Sequence, residues 1–144
     1  MGSKSNTFEN DLLKLIFTAT TISNIAIDAT SSPLTNLYVA LHVGAVSDTS
    51  TQDVNEVSYT NYARVPVARS AAGWTVTNNE VVPAAEIAFA ASGGGTGGTV
   101  DYFSIGVASS GATKILYWGA VSPTIAVANG VTPKLTVATK VTED

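Results

Sequence analysis

The stretch TVDYFSIGVASSGATKILYWGAV, residues 99–121, organises this chain. It contains two candidate strands joined by a short polar turn at residues 109–112. Strand side chains alternate between the two faces of a sheet, so Phe103 and Ile105 share one face and Leu116 and Trp118 share another. Neither strand has a polar face, which is typical of a strand that is central in a sandwich or covered by another subunit. The pattern predicts that this hairpin is the spine of a β-sandwich.

Further candidate strands extend over most of the chain. They are residues 37–43, 62–69, 74–77, 80–89, 124–128 and 134–141. Pro66 predicts an edge strand or a bulge, because proline cannot donate to a sheet ladder. Asn78 and Asn79 suit a two-residue hairpin turn. With the spine hairpin there are about eight strands. The predicted fold class is therefore all-β, an antiparallel β-sandwich or jelly roll.

One amphipathic helix is expected before the strands, at residues 6–17. Asn6 suits the N-cap, with Glu9 in the capping-box position. An apolar stripe with helical spacing follows, made of Phe8, Leu12, Leu15 and Ile16. We therefore divide the chain into an N-terminal arm, residues 1–17, and one β-sandwich domain, residues 18–144. The stripe should dock on the domain or on a neighbouring copy, and residues 18–33 fit either helix or strand.

Composition excludes several functional classes. The 144 residues contain no cysteine, so a disulfide framework and cysteine-ligated metals are excluded. Only 7 basic residues stand against 11 acidic ones, with no basic run, so we expect no nucleic-acid partner. No apolar run reaches the ~18 residues of a membrane helix. The early run at residues 12–17 is short and contains Lys14, so we expect no signal peptide.

The longest polar stretch, residues 44–61, contains the acidic residues Asp48, Asp53 and Glu56. A loop of this length in a compact domain is usually functional or mobile. Calcium binding by these carboxylates is disfavoured because neither the spacing nor the glycine of an EF-hand is present. The glycine-rich residues 92–98 lack the lysine of a phosphate-binding loop. The sequence therefore predicts neither a metal nor a cofactor.

Candidate catalytic groups are few. His42 is the only histidine, and any Ser-His-Asp triad would have to use it, yet no Gly-x-Ser-x-Gly elbow occurs. The scattered carboxylates suggest no glycosidase pair. We expect His42 to be a solvated or interface residue and the protein not to be an enzyme.

Four segments resemble a family of small structural proteins of tailed bacteriophages, often labelled phage tail fibre proteins. These are FENDLLKLIF (8–17), SSPLTNLYVALH (31–42), SYTNYARVPVARSAAGWTV (58–76) and IGVASSGATKILYWG (105–119). The resemblance extends from about residue 8 to the end of the chain. It implies a virion protein that is assembled in the bacterial host cytoplasm and released by lysis. The family offers no catalytic motif to transfer.

Size, together with the lack of elongated repeats and heptads, favours a capsid decoration (cement) protein within that family. Such a protein would bind the major capsid protein and copies of itself, as a homotrimer, on the phage head. The candidate contact residues are Phe8, Leu12, Ile16, Asp48, Asp53 and Glu56.

Two alternatives stay open. The first is a tail-fibre or adhesin module that binds a host surface glycan through exposed aromatic residues. The candidates are Tyr59, Tyr62, Trp74 and Trp118, although such aromatics more often belong to a core or an interface. The second alternative is a small tail or neck component.

Overall fold

The structure is a computed structural model that describes residues 4–22, 25–26 and 33–143. The elements, in chain order, are α1 (Asn6–Thr18), β1 (Asn36–His42), β2 (Val65–Ala68), β3 (Trp74–Thr77), β4 (Glu80–Pro83), β5 (Ile87–Ala88), β6 (Gly98–Gly106), β7 (Ile115–Val127), β8 (Lys134–Leu135) and β9 (Val141–Thr142). One short helix thus precedes several antiparallel sheets, which confirms the predicted all-β class with an N-terminal helix. Part of the ambiguous segment 18–33 lies outside the described residues.

The chain forms two compact units, which are described separately below. One consists of residues 1–36, 68–86 and 136–144, and the other of residues 37–67 and 87–135. The predicted division after residue 17 stays a prediction. Among the described residues, no helix combines the length and apolar character needed to cross a membrane.

The second unit is built on a four-stranded sheet in the order β2-β1-β6-β7. The alternating residues Leu37, Val39 and Leu41 of β1 are buried, as its period-two pattern predicts. Strand β2, which contains Pro66, lies at one edge, as predicted. At the other edge lies β7, the second strand of the spine hairpin, so β6 is the only strand of that hairpin in the interior of the sheet. The prediction of a separate strand at residues 124–128 was wrong, because β7 continues to Val127 and pairs there with the start of β6.

The first unit contains α1 and the sheet β3-β4-β9. The β3–β4 hairpin turns at Asn78, whose φ of 54° is the positive value that asparagine tolerates. The predicted long strand at residues 134–141 is instead two short strands, β8 in the second unit and β9 in the first.

Helix α1 begins at Asn6, as predicted, but its N-cap is the preceding residue. Its N-cap is Ser5, whose hydroxyl accepts from the Phe8 N–H at 3.4 Å, so the Asn6 cap with Glu9 in a capping box was wrong. The helix packs against β3 and β4 through Leu13 and Phe17, both fully buried. The Phe17 ring meets Trp74 edge-on, with centroids 4.8 Å apart. The buried face therefore lies one residue beyond the predicted stripe.

Candidate assembly surface

The outer edge of β7 is the most distinctive surface of the second unit. All 13 residues of this strand, ILYWGAVSPTIAV, are uncharged. Most of them are exposed or half-buried, and only Val127 is buried. A strand with this composition usually lies inside a sheet, whereas β7 has one neighbouring strand among the described residues, β6. The strand therefore presents apolar side chains and backbone edge to its surroundings.

Trp118 is the more exposed of the two aromatic side chains of β7, with 39% of its surface exposed. Its ring lies 6.1 Å from that of Tyr102 on β6, tilted by 50°. The two residues are diagonal neighbours on one face of the hairpin, because Tyr102 pairs with Ala120 and Trp118 with Ser104. This contact orients the indole while leaving much of it available to a partner.

Gly119 lies between Trp118 and Ala120 and faces Phe103 across the hairpin. A Cβ at residue 119 would lie 3.0 Å from Phe103 Cε1, and the Phe103 side chain is buried. The phenyl ring therefore occupies the space that a side chain at position 119 would need. This is the close approach that a glycine in a strand often marks.

The hairpin tip is fixed by Arg64, which is buried next to it. Arg64 Nη2 donates to the Gly111 carbonyl at 2.8 Å, and Nη1 donates to the Ala108 carbonyl and to Thr113 Oγ1, both at 3.1 Å. Arginine carries five N–H donors in a rigid planar group, and these contacts use the two terminal nitrogens, Nη1 and Nη2. The tip therefore has a defined conformation although its side chains are exposed.

The Nε and Nη2 groups of the Arg64 guanidinium bind Glu56, which belongs to the polar stretch 44–61. Arg64 Nε donates to Glu56 Oε1 and Nη2 donates to Oε2, each at 2.8 Å, which is the bidentate geometry of a strong ion pair. These hydrogen bonds raise the pKa of Arg64 above its ordinary value. Gln52 Oε1 is a third acceptor for Nη1, at 3.0 Å, so the two N–H groups of Nη1 are shared among three acceptors. The stretch expected to be functional or mobile is thus anchored to the unit's interior.

Tyr62 joins the same cluster. Its hydroxyl donates to Glu56 Oε1 at 2.9 Å and accepts from the Leu41 N–H at 3.1 Å. Burial, followed by the negative charge of Glu56, raises the pKa of Tyr62 well above its usual range. The hydroxyl therefore stays protonated and serves as a permanent hydrogen-bond donor.

His42 is fully buried, so the prediction of a solvated or interface histidine was wrong. Its Nδ1 lies 2.8 Å from the Val54 carbonyl, which fixes Nδ1 as the donor and Nε2 as the acceptor. Ser104 Oγ donates to Nε2 at 2.7 Å. Burial lowers the pKa of His42, so the neutral ring is favoured. The Ser-His pair resembles the start of a triad, but both side chains are fully buried and no substrate atom can reach them.

On α1, the predicted contact residues lie outside the face of the helix that is buried. Phe8 is 36% exposed and Leu12 and Ile16 are half-buried, whereas Leu13 and Phe17 form the packed face. Arg69 completes the helix by donating to the Leu15 and Ile16 carbonyls, each at 2.6 Å. Phe8, Leu12 and Ile16 therefore form a partly exposed apolar stripe, and their role in contacts stays a prediction.

The predicted acidic contact residues have different environments. Asp48 and Asp53 are exposed in the loop 44–61, and Asp53 Oδ1 accepts from Thr51 Oγ1 at 2.7 Å. Both carboxylate oxygens of Glu56 are bound within the unit. Among the described residues, no three histidine or acidic side chains form a group that could hold a metal ion.

Of the four aromatic residues proposed for glycan binding, Trp118 alone is exposed. Tyr59 and Trp74 are buried, Tyr62 is half-buried, and the Tyr59 hydroxyl donates to the Ala90 carbonyl at 3.0 Å. The structure thus assigns three of them to internal packing.

Sequence reasoning missed the partners of Arg64 and the edge position of β7. The alternation in β6 indicates correctly that Ser104 faces away from Phe103, but it does not indicate that His42 lies beside it. Gln52 gives no local signal, because it is one polar residue in a polar stretch. These residues are brought together by strand pairing over long sequence separations.

Comparison with known proteins gives one family. The family model described as podophage GP4 fiber I protein gp80 matches residues 3–141 of this chain. None of the curated proteins matches it.

Proposed function

The chain belongs to the podophage GP4 fiber I protein gp80 family, and we propose that it is a non-enzymatic subunit of a virion fibre. The family is one of tailed-phage structural proteins, so the predicted family of virion proteins is confirmed. The finer assignments, to a fibre and to a protein without catalysis, are ours. So is assembly in the bacterial host cytoplasm.

The exposed, uncharged edge of β7 is the observation that supports the fibre role. A fibre is built from repeated contacts between chains, and an open strand edge is a ready template for such contacts. Exposed apolar surface next to that edge, including Trp118, is what an assembling protein leaves for its neighbours.

The buried polar cluster supports a role without catalysis. A catalytic histidine must be within reach of a substrate, and His42 is enclosed. The guanidinium of Arg64 and the carboxylate of Glu56 are used to hold the loop and the hairpin tip. Each of these groups thus has a structural task within the unit.

The second candidate, head decoration, is favoured by the partly exposed stripe of Phe8, Leu12 and Ile16 on α1. Such a stripe could hold the chain on the major capsid protein. The major capsid protein as a partner, a homotrimer and contacts through Asp48, Asp53 and Glu56 stay predictions.

A cryo-electron microscopy map of the intact particle tests the proposal. We expect density for this chain in fibres. Knobs distributed regularly over the head would overturn the fibre assignment and support decoration. Density confined to a few copies at the neck would contradict both.

A variant with Phe8, Leu12 and Ile16 all changed to serine separates the two roles further. If the chain decorates heads through α1, this variant should fold and fail to bind capsids. The matched control is Val137→Ser, which removes an exposed apolar side chain elsewhere in the same unit. Equal capsid binding by both variants would remove α1 as the attachment site.

A further inference from the structure

The direction of the backbone groups in β7 follows from the hydrogen bonds of β1. Leu41 donates its N–H to Tyr62 Oη at 3.1 Å and accepts from the Val57 N–H at 2.9 Å. Both Leu41 groups therefore point away from β6. Because Leu41 faces Phe103 in the register, these two residues are a non-hydrogen-bonded pair of the antiparallel ladder.

Because the backbone groups of successive residues in a strand point to opposite sides, the same reasoning extends from β1 to β6 and β7. The backbone groups of Phe103 point to β7, so Phe103 and Gly119 form a hydrogen-bonded pair. The flanking residues Trp118 and Ala120 consequently direct their N–H and C=O groups to the open edge. Among the described residues, no backbone group bonds these four atoms.

This edge lacks most of the usual protection against pairing. Natural edge strands carry charged side chains, bulges or proline that discourage a second strand. Here the 13 residues are uncharged, and the irregularity that contains Pro123 lies beyond Ala120. The segment from Tyr117 to Ala120 keeps a regular register with β6. A strand could therefore add to β7 at this segment without meeting a charge.

We propose that β7 pairs antiparallel with β7 of a second copy about a two-fold axis at Gly119. In this register Trp118 lies opposite the partner subunit's Ala120, and Ala120 lies opposite the partner subunit's Trp118. Each of these hydrogen-bonded pairs exchanges two N–H···O bonds, so all four outward groups of each chain are satisfied. The two four-stranded sheets become one continuous sheet.

Three features indicate a copy of this chain as the occupant. An uncharged edge places no like charges opposite each other when it meets itself. The register sets each large indole beside a methyl group. Gly119 meets the partner subunit's Gly119 at a non-hydrogen-bonded site, where the Cα atoms approach to about 4.5 Å and no side chains have to be accommodated. The choice of a copy also rests on the proposed fibre role, in which many copies lie side by side.

Disulfide trapping tests this register, and the absence of native cysteine makes the result easy to interpret. Trp118→Cys and Ala120→Cys are purified separately, mixed and oxidised. Hydrogen-bonded partners have Cα atoms about 5.5 Å apart, within the range that a disulfide spans. We expect several-fold more covalent dimer from the mixture than from either variant alone.

The control is a mixture of Ser110→Cys and Ala112→Cys, two exposed positions with the same spacing at the hairpin tip. Dimer yield no higher than in this control overturns the proposal. The same holds if Ala120→Cys alone cross-links as well as the mixture does.

Amide hydrogen exchange of the unmodified protein gives a second test. The Trp118 and Ala120 amides should become protected as protein concentration rises, while the Ser110 amide should not change. Monomeric sedimentation at every concentration, with no added protection, would also overturn the pairing. If the particle map shows this chain in fibres but no disulfide dimer forms, the β7 interface is rejected and the fibre role stands. If the disulfide dimer forms but the map shows no fibre density for this chain, the interface stands and the fibre role is rejected.

Discussion

Two regions of the second unit contrast in a way that their composition does not predict. The polar stretch 44–61 is anchored through Glu56 and Gln52 to a buried arginine. The uncharged strand β7 lies at a sheet edge with Trp118 exposed. The difference shows that partners, rather than the hydropathy of a segment, determine what this unit encloses. A polar segment can be buried when each group is paired, and an apolar one can remain outside when it serves another contact.

The sharpest test of the anchored region is Arg64→Leu. Glu56 would keep its charge in a partly buried site without its partner, and removal of one partner of such a pair costs about 3–5 kcal/mol. Chemical denaturation should report this loss in the free energy of unfolding. Arg69→Leu is the control, because Arg69 binds backbone carbonyls at the end of α1. If both variants lose the same free energy of unfolding, the buried ion pair of Arg64 stabilises the protein no more than the backbone contacts of Arg69 do.

Gly106→Ala tests whether the cluster is close-packed. A Cβ at residue 106 would lie 2.1 Å from Gln52 Oε1, whose amide is held by Arg64 and by the Tyr38 carbonyl. Overpacking of this kind costs about 1–3 kcal/mol. In the variant that combines it with Gln52→Ala, the added cost of Gly106→Ala should disappear in a double-mutant cycle. If Gly106→Ala costs as much in the Gln52→Ala background as in the wild-type protein, the strain does not arise from the contact with Gln52.

His42 gives the anchored region a pH dependence. Its pKa is lowered in the folded state from the ordinary 6.5, so the unfolded chain binds more protons as pH falls below that value. Stability from this group is complete above pH 6.5 and declines on acidification, by at most about 1.4 kcal/mol per pH unit. Denaturation of the protein and of His42→Gln across pH 5–8 should show a flatter curve for the variant. Parallel curves would contradict this.

The smallest effect is expected at the edge. Trp118→Ser, measured at a concentration where the chain is monomeric, should lower the free energy of unfolding by about 1 kcal/mol, because the indole is only partly covered within the chain. Phe103→Ala in the same hairpin should cost about 3–5 kcal/mol because its ring is buried. A large loss for the Trp118 variant would break the contrast between the two regions.

Local rules predicted much of the fold. The alternation of β1, the proline of edge strand β2 and the asparagine turn between β3 and β4 each depend on a few adjacent residues. The packed face of α1 was displaced by one residue, because Leu13 and Phe17 are selected by the sheet beneath them rather than by the helix's own pattern. Local patterns identify an element but not the face that tertiary packing selects.

The site was less predictable for the same reason. Glu56 was predicted to be a capsid or subunit contact, which stays a prediction, and nothing in the sequence indicated its internal partner Arg64, eight residues later in the chain. Trp118 was placed in a spine whose second strand proved to be an edge. Edge and centre are distinguished by strand order, which depends on all the pairings together.

The arginine fork also affects how the unit folds. Arg64 bonds groups at Ala108, Gly111 and Thr113, which are 44 to 49 residues later in the chain. These bonds can form only after a large loop has closed, and closing it has an entropic cost before any bond compensates for it. Loop 44–61, the hairpin tip and Arg64 should therefore gain their order together and lose it together. A protease should find no early cut site in the exposed tip until the whole cluster opens.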